Sequence, residues 1–257
     1  MSIEWRILGK AGADNALHAT VDTGQSRTSL LFDCGEHCLD ELRPTEVQSV
    51  AHVCFSHFHM DHVAGFDGFF RLNYNRPDAP VFVWGPEGTI PLMAYRFQGF
   101  VWNLHAGQPG EWIVREVTGD RIGSSRFLTR EAFSTDHREP DRPCPTLEIH
   151  REDAWHLEAM ALPHGSIPSL AYRLVESDRS NIDPAALAHL GWKPGPWLKQ
   201  VVDPGVTDDA TVSADAETKS VGELRETLLT TTPGESIAWL TDFRAEPGSE
   251  IWDRLVS

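Results

Sequence analysis

Ser49-Val-Ala-His-Val-Cys-Phe55 runs directly into Ser56-His57-Phe58-His59-Met60-Asp61-His62, and the reading of this stretch decides the fold. The first part is a short apolar run of strand length. In an extended segment alternate side chains face one way, so His57 and His59 can reach one ion together. Val63 to Leu72 then reads as a helix, and the turn into it points Asp61 and His62 at a second position beside the first. Imidazole nitrogen mixed with carboxylate oxygen suits zinc, with manganese or iron as alternatives. Two adjacent ions would activate a bridging water and hold the atom it attacks. The bland rival is a chance group of surface or core histidines. Three histidines and an aspartate within six residues, placed directly after an apolar strand, argue against it.

Outward from this stretch, Glu4 to Leu8, Ala16 to Val21 and Ser29 to Phe32 read as strands, with Gly9, Gly12, Gly24 and Gly35 at the turns. Val81 to Trp84 reads as the strand after the helix. Strand, loop, helix and strand in that order is an α/β pattern. Further strands are expected at Trp112 to Val117, Ser125 to Leu128, Thr146 to His150, His156 to Leu162, Ser169 to Val175 and Ser236 to Leu240. Glu223 to Leu229 reads as a short helix. Ser177 to Asp209 carries Pro184, Pro194, Pro196 and Pro204. It reads as an inserted or protruding arm with a helical patch at Pro184 to Leu190, not as a sheet element. The expected organisation is one domain over residues 1–257 with an arm-like insertion at about 177–209.

At 257 residues with 40% hydrophobic and 23% charged side chains, the chain has the composition of a globular protein, not a disordered one. No apolar run is long enough to span a membrane. The start, Met1-Ser2-Ile3-Glu4-Trp5-Arg6, lacks the features of an export signal, so a cytoplasmic location is expected. A formal charge of −16 speaks against gripping nucleic acid through a general basic surface. It leaves room for a nuclease whose metal ions and one local patch hold the phosphate. Cys34 and Cys38 have no common zinc-knuckle spacing, and with Cys54 and Cys144 they read as reduced, buried thiols.

His57 to His62 resembles the signature of the metallo-β-lactamase superfamily, and Phe32-Asp33-Cys34-Gly35-Glu36 resembles the strand-end motif before it in the ribonuclease Z branch. The resemblance extends to Leu162-Pro163-His164-Gly165-Ser166-Ile167-Pro168-Ser169-Leu170-Ala171-Tyr172-Arg173, to Gly195-Pro196-Trp197-Leu198-Lys199 and to Ile237-Ala238-Trp239-Leu240-Thr241-Asp242. It implies a four-layered αβ/βα sandwich in which His57, His59 and His164 hold a first ion. Asp61 and His62 would hold a second, with Asp242 bridging both. Asp61 would also take a proton from the attacking water. The Gly195 to Lys199 segment resembles part of a flexible arm that contacts tRNA in that branch. His164, between Pro163 and Gly165, could instead be a turn residue, and Asp242 a loop cap. Asp33 could be an ordinary turn former or a carboxylate orienting a metal-bound histidine.

Two departures bear on function. Lys10 to Leu17 is nearly neutral, where the branch carries a proline and basic residues used on RNA. Only fifteen residues follow Asp242 and none is a histidine. The branch places a further histidine there to complete the second ion, so three alternatives stand: the chain is a fragment, its second site is incomplete, or a histidine elsewhere substitutes. The resulting expectation is a two-zinc hydrolase of phosphodiesters, an endoribonuclease or phosphodiesterase acting on RNA or a small phosphodiester, with a homodimer left open. The alternatives are a hydrolase of a lactone, thioester or cyclic nucleotide, and a degenerate scaffold that binds without catalysis.

Overall fold

A computed structural model describes residues 2–10, 12–203, 205–214 and 217–244. The chain divides into two compact units, one of residues 1–176 and 235–257 and one of Ser177–Gly234.

The first unit is built on an eight-stranded sheet whose strands lie side by side in chain order. β1 (Ser2–Gly9), β2 (Asn15–Asp22) and β3 (Arg27–Phe32) form an antiparallel meander. α1 (Pro44–Ser49) then crosses to β4 (Val50–Cys54), which runs parallel to β3. α2 (Met60–Val63) and α3 (Phe66–Asn73) lead to β5 (Val81–Pro86), and α4 (Thr89–Gln98) leads to β6 (Glu111–Thr118), both added in parallel. β7 (Arg121–Leu128) and β8 (His137–Pro143) close the sheet antiparallel.

The period of two along these strands sorts side chains into two cores. Leu31, Val53, Val83, Val114 and Phe127 face a core shared with Val47 of α1, Phe66, Phe69 and Phe70 of α3, and Ile90, Met93 and Phe97 of α4. Leu30, Phe32, Cys54 and Trp84 point the other way, into a core shared with a second sheet. That sheet is antiparallel and comprises β9 (Glu148–Arg151), β10 (Trp155–Leu162), β11 (Ser169–Glu176) and the later strand Ser236–Trp239, which pairs with β11. Its Trp155, Leu157, Leu170, Tyr172 and Leu174 fill the same core. The unit thus shows helices, sheet and facing sheet, three layers of the αβ/βα sandwich among the described residues.

The helix expected over Val63 to Leu72 is two helices. Cys34 N–H donates to the His62 carbonyl (2.8 Å), taking the acceptor that a continuous helix would give to Phe66, and Gly65 N–H donates to the Cys34 carbonyl (2.9 Å). The loop after β3 is thereby stitched onto the end of α2. β8 was not expected at all. It reads His-Arg-Glu-Pro-Asp-Arg-Pro and lies almost wholly exposed at the sheet edge, where charge and proline are tolerated.

The second unit has its own core of Leu187, Val201, Val212, Val221, Leu224 and Leu228. It contains β12 (Arg179–Ile182), α5 (Pro184–His189), α6 (Leu198–Val202), β13 (Thr211–Ala214), β14 (Glu217–Ser220), α7 (Val221–Leu228) and β15 (Leu229–Thr232). The reading of 177–209 as free of sheet is corrected here: β12 pairs antiparallel with β15, from Arg179 opposite Thr232 to Ile182 opposite Leu229. The prolines begin only at Pro184, which starts α5 with Asp183 capping it, so β12 keeps every amide it needs. β16 (Ser236–Trp239) then returns the chain to the first unit.

Candidate metal centre

The site lies where strands of the first unit end. His57 and His59 follow β4, Asp61 and His62 lie in the short α2, His164 is in the turn between β10 and β11, and Asp242 follows β16. Extended backbone at His59 (φ −67°, ψ 153°) keeps alternate side chains on one side. His57 Nε2 and His59 Nδ1 come within 3.0 Å. His164 Nε2 lies 3.5 Å from the same His59 nitrogen, and Asp242 Oδ2 lies 3.5 Å from His57 Nε2. One donor atom from each of His57, His59, His164 and Asp242 falls within 4.8 Å of the others, and Asp61, His62 and Asp242 form a second such group. Asp242 Oδ2 is 3.0 Å from His62 Nε2, and Asp61 Oδ2 is 3.5 Å from it. All six residues proposed from sequence are therefore brought together, with Asp242 common to both groups.

The donor set fits divalent metal ions. Donors held about 2.0–2.1 Å from a tetrahedral zinc stand roughly 3.3–3.4 Å apart, and three contacts in the first group, His57–His59, His59–His164 and His57–Asp242 at 3.0 to 3.5 Å, are of that size. His57 and His62 form a buried floor, whereas His59, Asp61 and Asp242 are open to solvent. A ligand can thus reach the open side while the floor stays fixed.

Asp33, fully buried, organises that floor. Its Oδ1 accepts the Ser56 N–H (2.7 Å), and its Oδ2 accepts from Ser56 Oγ (2.8 Å), His62 Nδ1 (2.9 Å) and Trp239 Nε1 (2.8 Å). Ser56 Oγ also accepts from Thr241 Oγ1 (3.1 Å). With its hydrogen committed to Asp33, Ser56 Oγ can only accept from His57 Nδ1, 3.1 Å away. Both floor histidines therefore carry a hydrogen on Nδ1 and turn Nε2 toward the donor groups. Asp33 and Asp242 both have positive φ, 57° and 46°, a region that aspartate enters more readily than most side chains.

Burial, helped by the neighbouring His62, holds the His57 pKa down to about 4. Burial also works against charge on His62, but the hydrogen bond and charge of Asp33, with Asp61 and Asp242, lift its pKa to about 9. Ser56, Trp239 and Thr241 were missed in the sequence. Trp239 and Thr241 stand inside the Ile237 to Asp242 motif, but nothing local shows that they reach back to the loop after β3 and to Ser56. Burial pushes the Cys34 and Cys54 thiols far above their usual range and Cys38 up to about 11, so the cysteines supply no thiolate here.

Ribonuclease Z of Deinococcus radiodurans is 41% identical to this chain over 238 residues, covering 92% of the chain and 70% of that protein. The chain belongs to the ribonuclease Z family. Membership makes it a metal-dependent hydrolase of the metallo-β-lactamase fold. Ribonuclease Z of Pyrococcus abyssi is 26% identical over 176 residues, covering 67% of this ribonuclease Z family chain and 47% of that protein. The chain thus spans about half the length of that archaeal relative. Among solved structures, human tRNase Z, short form, aligns over 69% of this chain and 64% of that one at 16% identity, with a TM-score of 0.39. A metallo-β-lactamase fold protein of Bacillus subtilis aligns over 68% and 58% at 15% identity, with a TM-score of 0.41. No family model matches the chain.

Proposed function

We propose that this chain hydrolyses phosphodiester bonds of RNA with two zinc ions, the first held by His57, His59 and His164 and the second by Asp61 and His62, with Asp242 shared. The observation that carries the reading is the placement of Asp242 Oδ2 between His57 Nε2 (3.5 Å) and His62 Nε2 (3.0 Å). One carboxylate oxygen is thus offered to both donor groups. Zinc bound to such a set supplies acidity to a water and counter-charge to a phosphate. The chain's own residues do the rest. Asp33 and Ser56 keep Nε2 of His57 and His62 turned to the site. Asp61, with its side chain 58% exposed beside His62, is placed to take a proton from the attacking water.

Binding of a polyanion to a chain of net charge −16 would depend on the ions and on local cations, and would weaken steeply with salt. The nearly neutral loop Lys10 to Leu17 favours a second reading, a smaller phosphodiester. The test compares a 3′-extended tRNA with bis(p-nitrophenyl) phosphate, using zinc-loaded wild type and Asp61→Asn. Cleavage of the RNA that is lost in Asp61→Asn supports the main reading. Turnover of the small ester alone supports the second, and cleavage of neither refutes both. The four free, buried cysteines suit the reducing cytoplasm, where the reading places the protein. The exposed Tyr95, Phe100, Val101 and Leu104 support self-association, which sedimentation would measure. No helix among the described residues is long and apolar enough to cross a membrane.

A further inference from the structure

His52 on β4 and His150 on β9 come from the two facing sheets, and their ring centroids meet 5.0 Å apart. Glu152, just past β9, brings Oε1 to 3.1 Å from His150 Nε2. One donor atom from each of the three lies within 4.8 Å of the others. Phe82 stacks on His52 at 4.9 Å and Trp155 meets it edge-on at 5.3 Å, so the floor of this cluster is apolar. His52 is 2% exposed, while the Glu152 side chain is 52% exposed. The cluster is thus dry at one end and open to solvent at the other. None of these residues takes part in the centre built on His57.

We propose that His52, His150 and Glu152 bind a zinc ion that ties the two sheets of the sandwich together. Two imidazoles and a carboxylate are a three-ligand zinc set, with water as the fourth ligand. Burial first, then neighbouring positive charge, lowers the pKa of both histidines, so neither ring has to shed a proton to solvent before a cation binds. Arg115, whose guanidinium lies 4.7 Å over the Trp84 ring and 5.1 Å over that of Phe82, opposes any cation nearby. That opposition weakens every divalent ion alike; the two imidazoles make the choice, because magnesium and calcium take oxygen ligands whereas zinc favours nitrogen.

One bond must give way. Trp84 Nε1–H donates to His52 Nδ1 at 3.2 Å, which leaves the ring hydrogen on Nε2. Neither nitrogen of His52 can ligate until that bond is released, and because the buried indole N–H then loses its acceptor, the cost is roughly five- to 150-fold in affinity. Release also marks the event, because the Trp84 indole changes its environment on loading.

The experiment equilibrates the chain with excess zinc, removes unbound ion and counts zinc by elemental analysis, while tryptophan emission and melting are followed with and without zinc. His150→Ala is expected to retain one equivalent fewer than wild type. It should also lose the emission change and the part of the zinc-dependent melting shift that go with that equivalent. Glu152→Gln, at the surface, is expected to bind the same equivalent at least tenfold more weakly, and decides the question if His150→Ala does not fold. His59→Ala in either background should lower the count by the same amount as in wild type, which separates the two sites. Equal zinc content and equal melting shifts in wild type and Glu152→Gln overturn the proposal.

Discussion

Replacing Asp33 by asparagine changes one buried oxygen into an NH2 at nearly constant volume, which makes its cost calculable from the bonds it now accepts. Oδ1 receives only the Ser56 N–H, while Oδ2 receives Ser56 Oγ, His62 Nδ1 and Trp239 Nε1. If the new amide oxygen keeps the Oδ2 place, its NH2 faces the Ser56 N–H and that buried donor is orphaned. The three remaining bonds also lose a charged acceptor. If the oxygen takes the Oδ1 place, the NH2 faces Trp239 N–H, which is orphaned instead. His62 must then accept at Nδ1, which moves its hydrogen onto the nitrogen that faces the site. An orphaned buried donor costs about 1–3 kcal/mol, and exchanging charged for neutral acceptors adds to it, so Asp33→Asn should destabilise the metal-free chain by about 2–4 kcal/mol. Zinc affinity should fall by about 10–100-fold, the usual effect of removing an outer partner of a ligating histidine. Urea unfolding in chelator gives the first quantity, and competition against a chromophoric chelator gives the second. An unchanged unfolding midpoint together with zinc affinity within twofold of wild type would refute the assignment of Asp33 as the organiser of the floor.

His59→Ala should remove the ion held with His57 and His164, and elemental analysis matching wild type would break the pairing of His57 with His59 at one ion. Under graded chelation the position at Asp61, His62 and Asp242 should empty before the one at His57, His59 and His164, because a shared carboxylate donates less than an imidazole committed to one ion; equal occupancies in a partly stripped crystal would contradict this. The His62 pKa of about 9 lies above its unfolded value near 6.5, so its contribution to stability is full below pH 6.5 and is lost as pH rises through 9. The metal-free chain should accordingly unfold more readily at pH 9.5 than at pH 7, and zinc loading at pH 7 should release about one proton by calorimetry in paired buffers. His57, held at about 4, has the opposite sign: the unfolded chain binds its proton first, so stability should fall as pH drops from 6.5 toward 4, and a flat acid limb would sink that account.

What the sequence determined by itself was whatever depends on neighbours in the chain. The strand at Val50–Cys54 and the direction of His57 and His59 follow from short-range apolar patterning and the alternation of an extended backbone, and both are visible within fourteen residues. The resemblance carried His164 and Asp242 into the same argument, because each stands in a local motif of its own. Other features were decided only where distant segments met. The helix break after Val63 accompanies the bond from the Cys34 amide to the His62 carbonyl, between residues 28 positions apart. The histidine tautomers depend on Asp33, Trp239 and Thr241, which come together across more than 180 residues of chain. β8 hid behind charge and proline because edge strands are allowed what inner strands are not. β12 was missed because its partner β15 lies some fifty residues away. Local pattern sets which face a side chain can present; only the tertiary fold supplies the donor, acceptor or strand that it meets there.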